Sequence, residues 1–392
     1  LICCDSEKES INELFVPKCF IEISESQYFN TDLLRSNYKD KTFIEHLSKN
    51  QCVLQYLLSR NKFPQEMLFE IDSFGDPTII HFRYDMNNLS NILKYITPDN
   101  LRKTNNCGQT LLHILAMDNC FNDLTSLNIP EEIYLLRDNF GKLYLDYIVE
   151  YQNQELLINL LNNKIVTSKV LCNVDKIGRT ILSKIIKTFP KTNSKIIDII
   201  DNHVLSIKNS KSVNNLGIII KYSPVLLGEI LKRENVDLTL LDNVDNKGRT
   251  CLMLAAQYSS NNLVTLLNHP YIKPGHMMLD RNLGSCLTKA IRYNPKDVRY
   301  ILQSNLMNNG VLYSRENEVY NGFVVGLNIV QLACKYSPDA LMFILDSGKN
   351  LQNLVYEIIG KSKDKINSLK ISILYQPECV EVLLKSVYGT NE

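Results

Sequence analysis

Tryptophan is absent from these 392 residues, and no two of the 11 cysteines form a C-x-x-C pair. The cysteines are scattered, at Cys3, Cys4, Cys19, Cys52, Cys107, Cys120, Cys172, Cys251, Cys286, Cys334 and Cys379. An odd, dispersed set in a long chain argues against a disulfide framework and against structural zinc. It reads instead as small buried hydrophobes in a reducing, intracellular compartment: cytoplasm, host cytoplasm or virion. Apolar runs near the ~18 residues that span a bilayer are also missing, so membrane insertion is not expected. Nor is there an excess of either charge. Lys+Arg is 43, Asp+Glu is 42 and the net charge is +1, so no global field draws in nucleic acid or an acidic membrane. The chain begins at Leu1 without Met or a signal-like apolar stretch, and its natural N-terminus is expected upstream.

The composition that remains is foldable, with 45% hydrophobic and 22% charged residues. The length suits two or three domains or one elongated array. Tyrosine is abundant at 20 residues, and Asn, Ile and Lys are used freely.

The chain repeats itself. "DSFGDPTIIH", "NNCGQTLLHILA", "DNFGKLYLDYI", "DKIGRTILSKI", "DNKGRTCLMLAA", "DRNLGSCLTKA" and "VVGLNIVQLAC" place Gly75, Gly108, Gly141, Gly178, Gly248, Gly284 and Gly326 in comparable settings. The first two intervals are 33 residues and the others cluster a little above. The span from Gly178 to Gly248 fits two repeats with one turn lost. A second marker follows each turn: "KYSPVLLGEIL", "QYSSNNLVTLL", "RYNPKDVRYIL", "KYSPDALMFIL" and "LYQPECVEVLL". Tyr222, Tyr258, Tyr293, Tyr336 and Tyr375 precede a short polar residue, then Pro or Ser, then an i, i+3, i+4 apolar stripe. Ser or Asn before Pro reads as an N-cap with Pro at the first helical position, a place where Gln is a poor cap. Each unit is thus turn, helix, tight turn, helix, loop. Thr110, Thr180 and Thr250 stand where a hydroxyl can cap the first helix. Ala116, Ala255 and Ala256 allow helices to approach closely.

In this arrangement the chain resembles the ankyrin repeat, D-x-x-G-x-T-P-L-H-x-A-A followed by a V-x-x-L-L helix. "DNKGRTCLMLAAQYSSNNLVTLL" matches best, and "NNCGQTLLHILA" places His113 at the family's His position. The T-P-L-H core is nowhere intact, and the last stretch lacks the Gly turn. The resemblance implies an all-α ankyrin-repeat solenoid of about ten units, degenerate ones included, because one helix pair cannot bury its stripe alone. It covers residues 38–392. Residues 1–37 form an atypical segment: a degraded repeat, a cap, or the remnant of an upstream domain. Asn/Ile/Lys/Tyr-rich units with Y-S-P or Y-N-P between the helices are similar to ankyrin proteins of large DNA viruses, and also to those of intracellular bacteria or protists.

Catalytic signals are weak. Gly360–Lys361–Ser362 looks like the end of a phosphate-binding loop, but the required upstream Gly is Val355. His269 and His276 are too loosely spaced for a metal site. Loop geometry set by Pro270 and Pro274 accounts for them better. His113 is expected to bond its own turn, and His46, His81 and His203 lack partners at a telling spacing. Glu131 and Glu132 open a helix after Pro130, where they complement its dipole. Lys361, Lys363, Lys365 and Lys370 read as a solvated basic loop.

No catalytic residue, metal ligand or cofactor is therefore expected, and a small-molecule ligand is not indicated. The resemblance implies protein binding through projecting turns and a concave groove. The candidates are Asn105, Asn106, Gln109, Asp138, Asn139, Lys142, Lys176, Arg179, Asn246, Lys247, Arg249, Gln257, Tyr258 and Tyr336. Arg179 and Arg249 stand out, because a fingertip Arg has no core to fill. Tyr151 and Tyr336 share the offset of Tyr258 from Gly, whereas Tyr293 is one residue early. These tyrosines either line the groove or pack between repeats with only the hydroxyl in water. The function expected is that of a non-catalytic interaction scaffold. Two alternatives are a structural, virion-type component and the substrate-recruiting arm of an enzyme or ubiquitin-ligase adaptor. A host protein is the partner implied for a virus or pathogen.

Overall fold

The computed structural model describes residues 18–38, 41–42, 53, 56–57, 60, 62–71, 75–79, 96–117, 129–190, 193–277, 279–320, 323–349, 351–357 and 367–388. The chain divides into two compact units, Leu1–Val170 and Leu171–Glu392. The fold class is all-α, built from repeated helix–turn–helix pairs with a finger-like turn before each first helix.

The first unit contains α1 (Lys18–Glu25), α2 (Thr31–Arg35), a short antiparallel pair β1 (Asn37–Tyr38) and β2 (Lys41–Thr42), α3 (Leu111–Met117), α4 (Tyr144–Glu150) and α5 (Gln154–Asn162). Helix α3 packs on α4, and α4 on α5. Glu131 and Glu132 do open a short helix, Glu131–Tyr134.

The second unit is the more regular. Its first helices are α6 (Ile181–Thr188), α7 (Asn215–Tyr222), α9 (Cys251–Tyr258), α11 (Cys286–Tyr293), α13 (Ile329–Tyr336) and α15 (Ser368–Tyr375). Its second helices include α8 (Pro224–Leu231), α10 (Ser260–Leu267), α12 (Val298–Gln303), α14 (Pro338–Leu345) and α16 (Glu378–Tyr388). First helices pack on first helices and second on second. That is why a first helix can be apolar all round: Cys251 to Ala256 are buried without a break, with a neighbour on each flank and a partner helix behind. Ala255 and Ala256 are fully buried, so small side chains do sit where helices meet.

Caps follow the sequence reading closely. Thr180 and Thr250 accept from the N–H of Ser183 and Met253, and Asn214, Ser285, Asn328 and Asn367 do the same for their helices. Ser223 and Ser337 cap the second helices, with Pro224 and Pro338 at the first helical position. Asn294 departs from this pattern. Its Nδ2 donates instead to the Ala256 carbonyl of the preceding pair at 2.6 Å.

The fingers share one device, an Asx turn. Asp245 Oδ1 accepts from the backbone N–H of Lys247 and of Arg249, both at 2.9 Å. Asn105, Asp138, Asp175, Asn209 and Asp280 repeat this two and four residues on. The third residue after each is left-handed. Gly108, Gly141, Gly178 and Gly248 hold that place, with φ between 73° and 78°.

Three sequence expectations are corrected here. The turn between Gly178 and Gly248 is not lost, because Ser212 (φ 58°) closes the Asn209 turn without a glycine. In the Asp280 turn the left-handed residue is Leu283 (φ 62°), not Gly284. Gly326 makes no turn at all. It lies in β4 (Phe323–Asn328), opposite Asn317 of β3 (Arg315–Tyr320). An ordinary finger pairs Thr104 with Thr110 at its base, whereas this one pairs Arg315 with Asn328 and extends into a hairpin.

Candidate functional site

The fingers chain to one another within each unit. In the first, Asn106 N–H donates to the Gly75 carbonyl (3.2 Å) and Asn139 N–H to that of Cys107 (3.0 Å). In the second, Asn246, Arg281 and Asn317 donate to Lys211, Lys247 and Asn282 at 3.0–3.1 Å. The turn backbones are therefore committed, and only side chains remain for recognition.

Several candidate side chains are committed as well. Asp138 is buried. It holds its own turn and accepts from the Tyr147 hydroxyl at 2.5 Å, so it leaves the partner-facing set. Asn105 donates to Asp76 and Gln109, and Gln109 donates to Tyr147 at 2.8 Å. Lys142 pairs with Glu150 at 2.7 Å and lies over the Tyr147 ring. Asn139 Nδ2 reaches back to the Asn106 carbonyl at 3.2 Å.

The expectation that a fingertip Arg has nothing to fill holds for Arg179 only in part and fails for Arg249. The Arg249 side chain is 11% exposed, paired to Asp245 at 2.7 Å and bonded to Gln257 Oε1 at 2.6 Å. A long side chain at this position folds back along its own turn. Arg179 bonds Asp175 at 2.8 Å but stays half exposed. Burial works against the Asp175 charge, yet Lys184 and Arg179 outweigh it and hold its pKa near about 2.

Lys176, Asn246 and Lys247 remain exposed at the tips. The apolar tips Phe140 and Ile177, each 59% exposed, were not anticipated. Both sit two residues after the Asx, a place the sequence marks only once the Asx, rather than the Gly, is taken as the origin.

Counting from the helix cap also repairs the tyrosine column. Tyr151, Tyr222, Tyr258, Tyr293, Tyr336 and Tyr375 each stand eight residues after their cap, so Tyr293 is in register. Tyr222, Tyr258 and Tyr293 are 40%, 43% and 46% exposed, which makes them neither core nor free. Tyr222 and Tyr258 lie against each other, with ring centroids 6.1 Å apart. Tyr336 donates to Glu318 at 3.0 Å.

The hairpin brings a charge network that sequence reading missed. Lys289 is 5% exposed and binds Asp280 (2.7 Å) and Glu316 (2.6 Å). Arg292 meets Glu318, which also takes Lys335 at 2.8 Å.

His113 and His276 serve the fold. His113 Nδ1 accepts from the Thr110 N–H at 3.1 Å, and Nε2 donates to the Lys142 carbonyl at 3.0 Å. His276 Nε2 bonds Asp242 at 2.7 Å, and Tyr271 donates to the same carboxylate at 2.6 Å, which closes that loop. Burial pushes the Cys251 thiol up to about 12, far from a reactive thiolate. Among the described residues no group of three His, Cys, Asp or Glu could hold a metal, and no helix is long and apolar enough to cross a membrane. Gly360–Ser362, Lys361, Lys363, Lys365, His46 and His81 lie outside the described residues.

The class this geometry defines is a stack of helix–turn–helix units whose turns project as fingers. No protein-family model and no curated protein matches the chain. The solved structures similar to it include these two. One is the Bd0816 predatory endopeptidase from Bdellovibrio bacteriovorus in complex with immunity protein Bd3460, at 20% identity and a TM-score of 0.34, covering 46% of this chain and 90% of that one. The other is the ankyrin repeat domain of Bcl-3, of the IkappaB protein family, at 16% identity and a TM-score of 0.39, covering 56% of this chain and 95% of that one.

Proposed function

We propose that this chain is a non-catalytic scaffold that binds a partner protein through its finger tips and the first-helix face beside them. The observation that carries the reading is the division of labour inside each finger. The Asx side chain and the turn backbone serve the fold, while the residues one and two positions on project outward at every repeat. In the second unit these are Lys176, Ile177, Ser210, Lys211, Asn246, Lys247, Arg281 and Asn282, all exposed. Exposed polar or apolar side chains, set at fixed spacing on rigid turns, suit recognition better than chemistry. The resemblance of the Asn/Ile/Lys/Tyr-rich repeats to those of viruses and intracellular pathogens favours a host protein as partner.

Affinity purification with mass spectrometry on the full chain tests this. The wild type is compared with Lys176→Glu plus Lys247→Glu, and with Lys232→Glu at the end of α8. Both variants are checked for an unchanged thermal melt. The fingertip pair should lose its specific partners at least about tenfold, as for hot-spot charges, while Lys232→Glu keeps them. An identical partner set at identical recovery from the fingertip pair removes the reading.

A further inference from the structure

Seven residues after its cap, each first helix of the second unit from α6 to α13 carries, in order, Lys187, Lys221, Gln257, Arg292 and Lys335. Four of these are cations, and each lies over the tyrosine ring of the next repeat. Lys187 Nζ is 5.2 Å from the Tyr222 centroid and Lys221 Nζ is 5.0 Å from that of Tyr258. Further on, Arg292 is 4.8 Å from Tyr336 and Lys335 is 5.3 Å from Tyr375. The result is a ladder of alternating cations and rings.

The two halves of the ladder are served differently. Along the downstream half β3 lays an extended strand with carboxylates two residues apart, Glu316 and Glu318, which therefore share a face. Glu316 takes Lys289, and Glu318 takes Arg292, Lys335 and the Tyr336 hydroxyl. Among the described residues the upstream half has no such strand. Asp175 is engaged by Arg179 and Lys184, and Asp245 by Arg249. Lys187 and Lys221 have no carboxylate partner among the described residues. Lys221 is nevertheless only 9% exposed, and burial, reinforced by Arg249, pushes its pKa down to about 8. Asp245 acts on Lys221 only from a distance and is itself held by Arg249. A buried cation with no carboxylate in contact is costly, a cost that an arriving carboxylate relieves.

We propose that the Lys187–Lys221 half of the ladder binds an extended acidic segment of a partner protein, its alternate carboxylates seated as Glu316 and Glu318 are seated downstream. This rests on the reading of the first-helix face as a partner-binding surface and names the partner's chemistry. Single-stranded nucleic acid fits less well. One face of each of Tyr222 and Tyr258 is covered by a lysine and the two rings lean on each other, which leaves little platform for base stacking.

The probe is a fluorescein-labelled peptide of alternating glutamate and valine, titrated onto the full chain by fluorescence anisotropy. A glutamine-for-glutamate peptide and an oligouridine of equal charge run beside it. The glutamate peptide should bind with an affinity that falls as salt rises. Lys187→Gln plus Lys221→Met should weaken it at least about tenfold, the scale expected when interfacial charge pairs are lost. Lys187→Glu, at an exposed position that does not threaten folding, should do the same alone, and Lys232→Gln should change nothing. Equal binding of the glutamine peptide, unchanged affinity in the Lys187 variants, or tighter Lys187-dependent binding of oligouridine would each overturn the proposal. If the fingertip variants lose their partners while the glutamate peptide never binds, the acidic-segment proposal fails and the scaffold reading stands.

Discussion

Two of the Asx finger turns close on a left-handed residue that is not glycine, Ser212 and Leu283. An L-residue there costs about 1–2 kcal/mol, and Leu283 is 47% exposed, so its side chain repays little of that by burial. Leu283→Gly is expected to stabilise the second unit by about 1 kcal/mol, raising Tm by about 2–4 °C. A thermal melt with lowered Tm would refute the strain argument. His113 makes a pH-dependent contribution in the first unit. Burial lowers its pKa below 6.5, and both ring nitrogens are used in the neutral form. Above pH 6.5 folded and unfolded chains are both neutral and the linkage is silent. As the pH falls through 6.5 the unfolded chain binds a proton that the folded one resists, so stability falls until the folded pKa is reached. Denaturation curves at about pH 7.5 and about pH 5 should show this loss in the wild type and a smaller one in His113→Gln. Equal losses would assign the pH dependence elsewhere.

Among the elements, the β3–β4 hairpin differs most from its counterparts. It is a finger whose base is kept and whose arm is lengthened, and it is held down by the buried Leu327 and by a charge network. Lys289 sits between Asp280 and Glu316, all three nearly excluded from water. Lys289→Met leaves the buried Asp280 without a cation and Glu316 with only Arg292 at 3.5 Å, and should cost about 3–5 kcal/mol. Hydrogen exchange in β3 and β4 should speed up before that in α7. Uniform acceleration across the unit would mean that the network does not anchor the hairpin in particular. The helices themselves were legible in the sequence, because cap, Pro and apolar stripe all act within a few residues. The hairpin was not. Val324, Val325 and Gly326 look like the approach to an ordinary turn, and nothing local says that their partners lie on a strand instead.

At the scale of the whole chain, the repeat period and the helix order were readable, because each pair exposes a stripe that only a neighbouring pair can cover. Division into two units was not, since it depends on which neighbouring pairs pack and not on any one of them. The candidate site was legible in part. Exposed tips such as Lys176 and Lys247 follow from the turn itself. The withdrawal of Asp138 and Arg249 follows from contacts with Tyr147 and Gln257, eight or nine residues away in sequence and on another element.

By itself the sequence determined the repeating turn–helix–turn–helix unit, its caps and its period, because an Asx turn or an N-cap closes within two to four residues of its own chain. Only the tertiary structure decided which charges meet. The Lys187–Tyr222 and Lys221–Tyr258 contacts, and the seating of Glu316 and Glu318 on Lys289, Arg292 and Lys335, join residues of successive repeats. Their distances are set by how first helix stacks on first helix, and no stretch of sequence contains both partners of a stack.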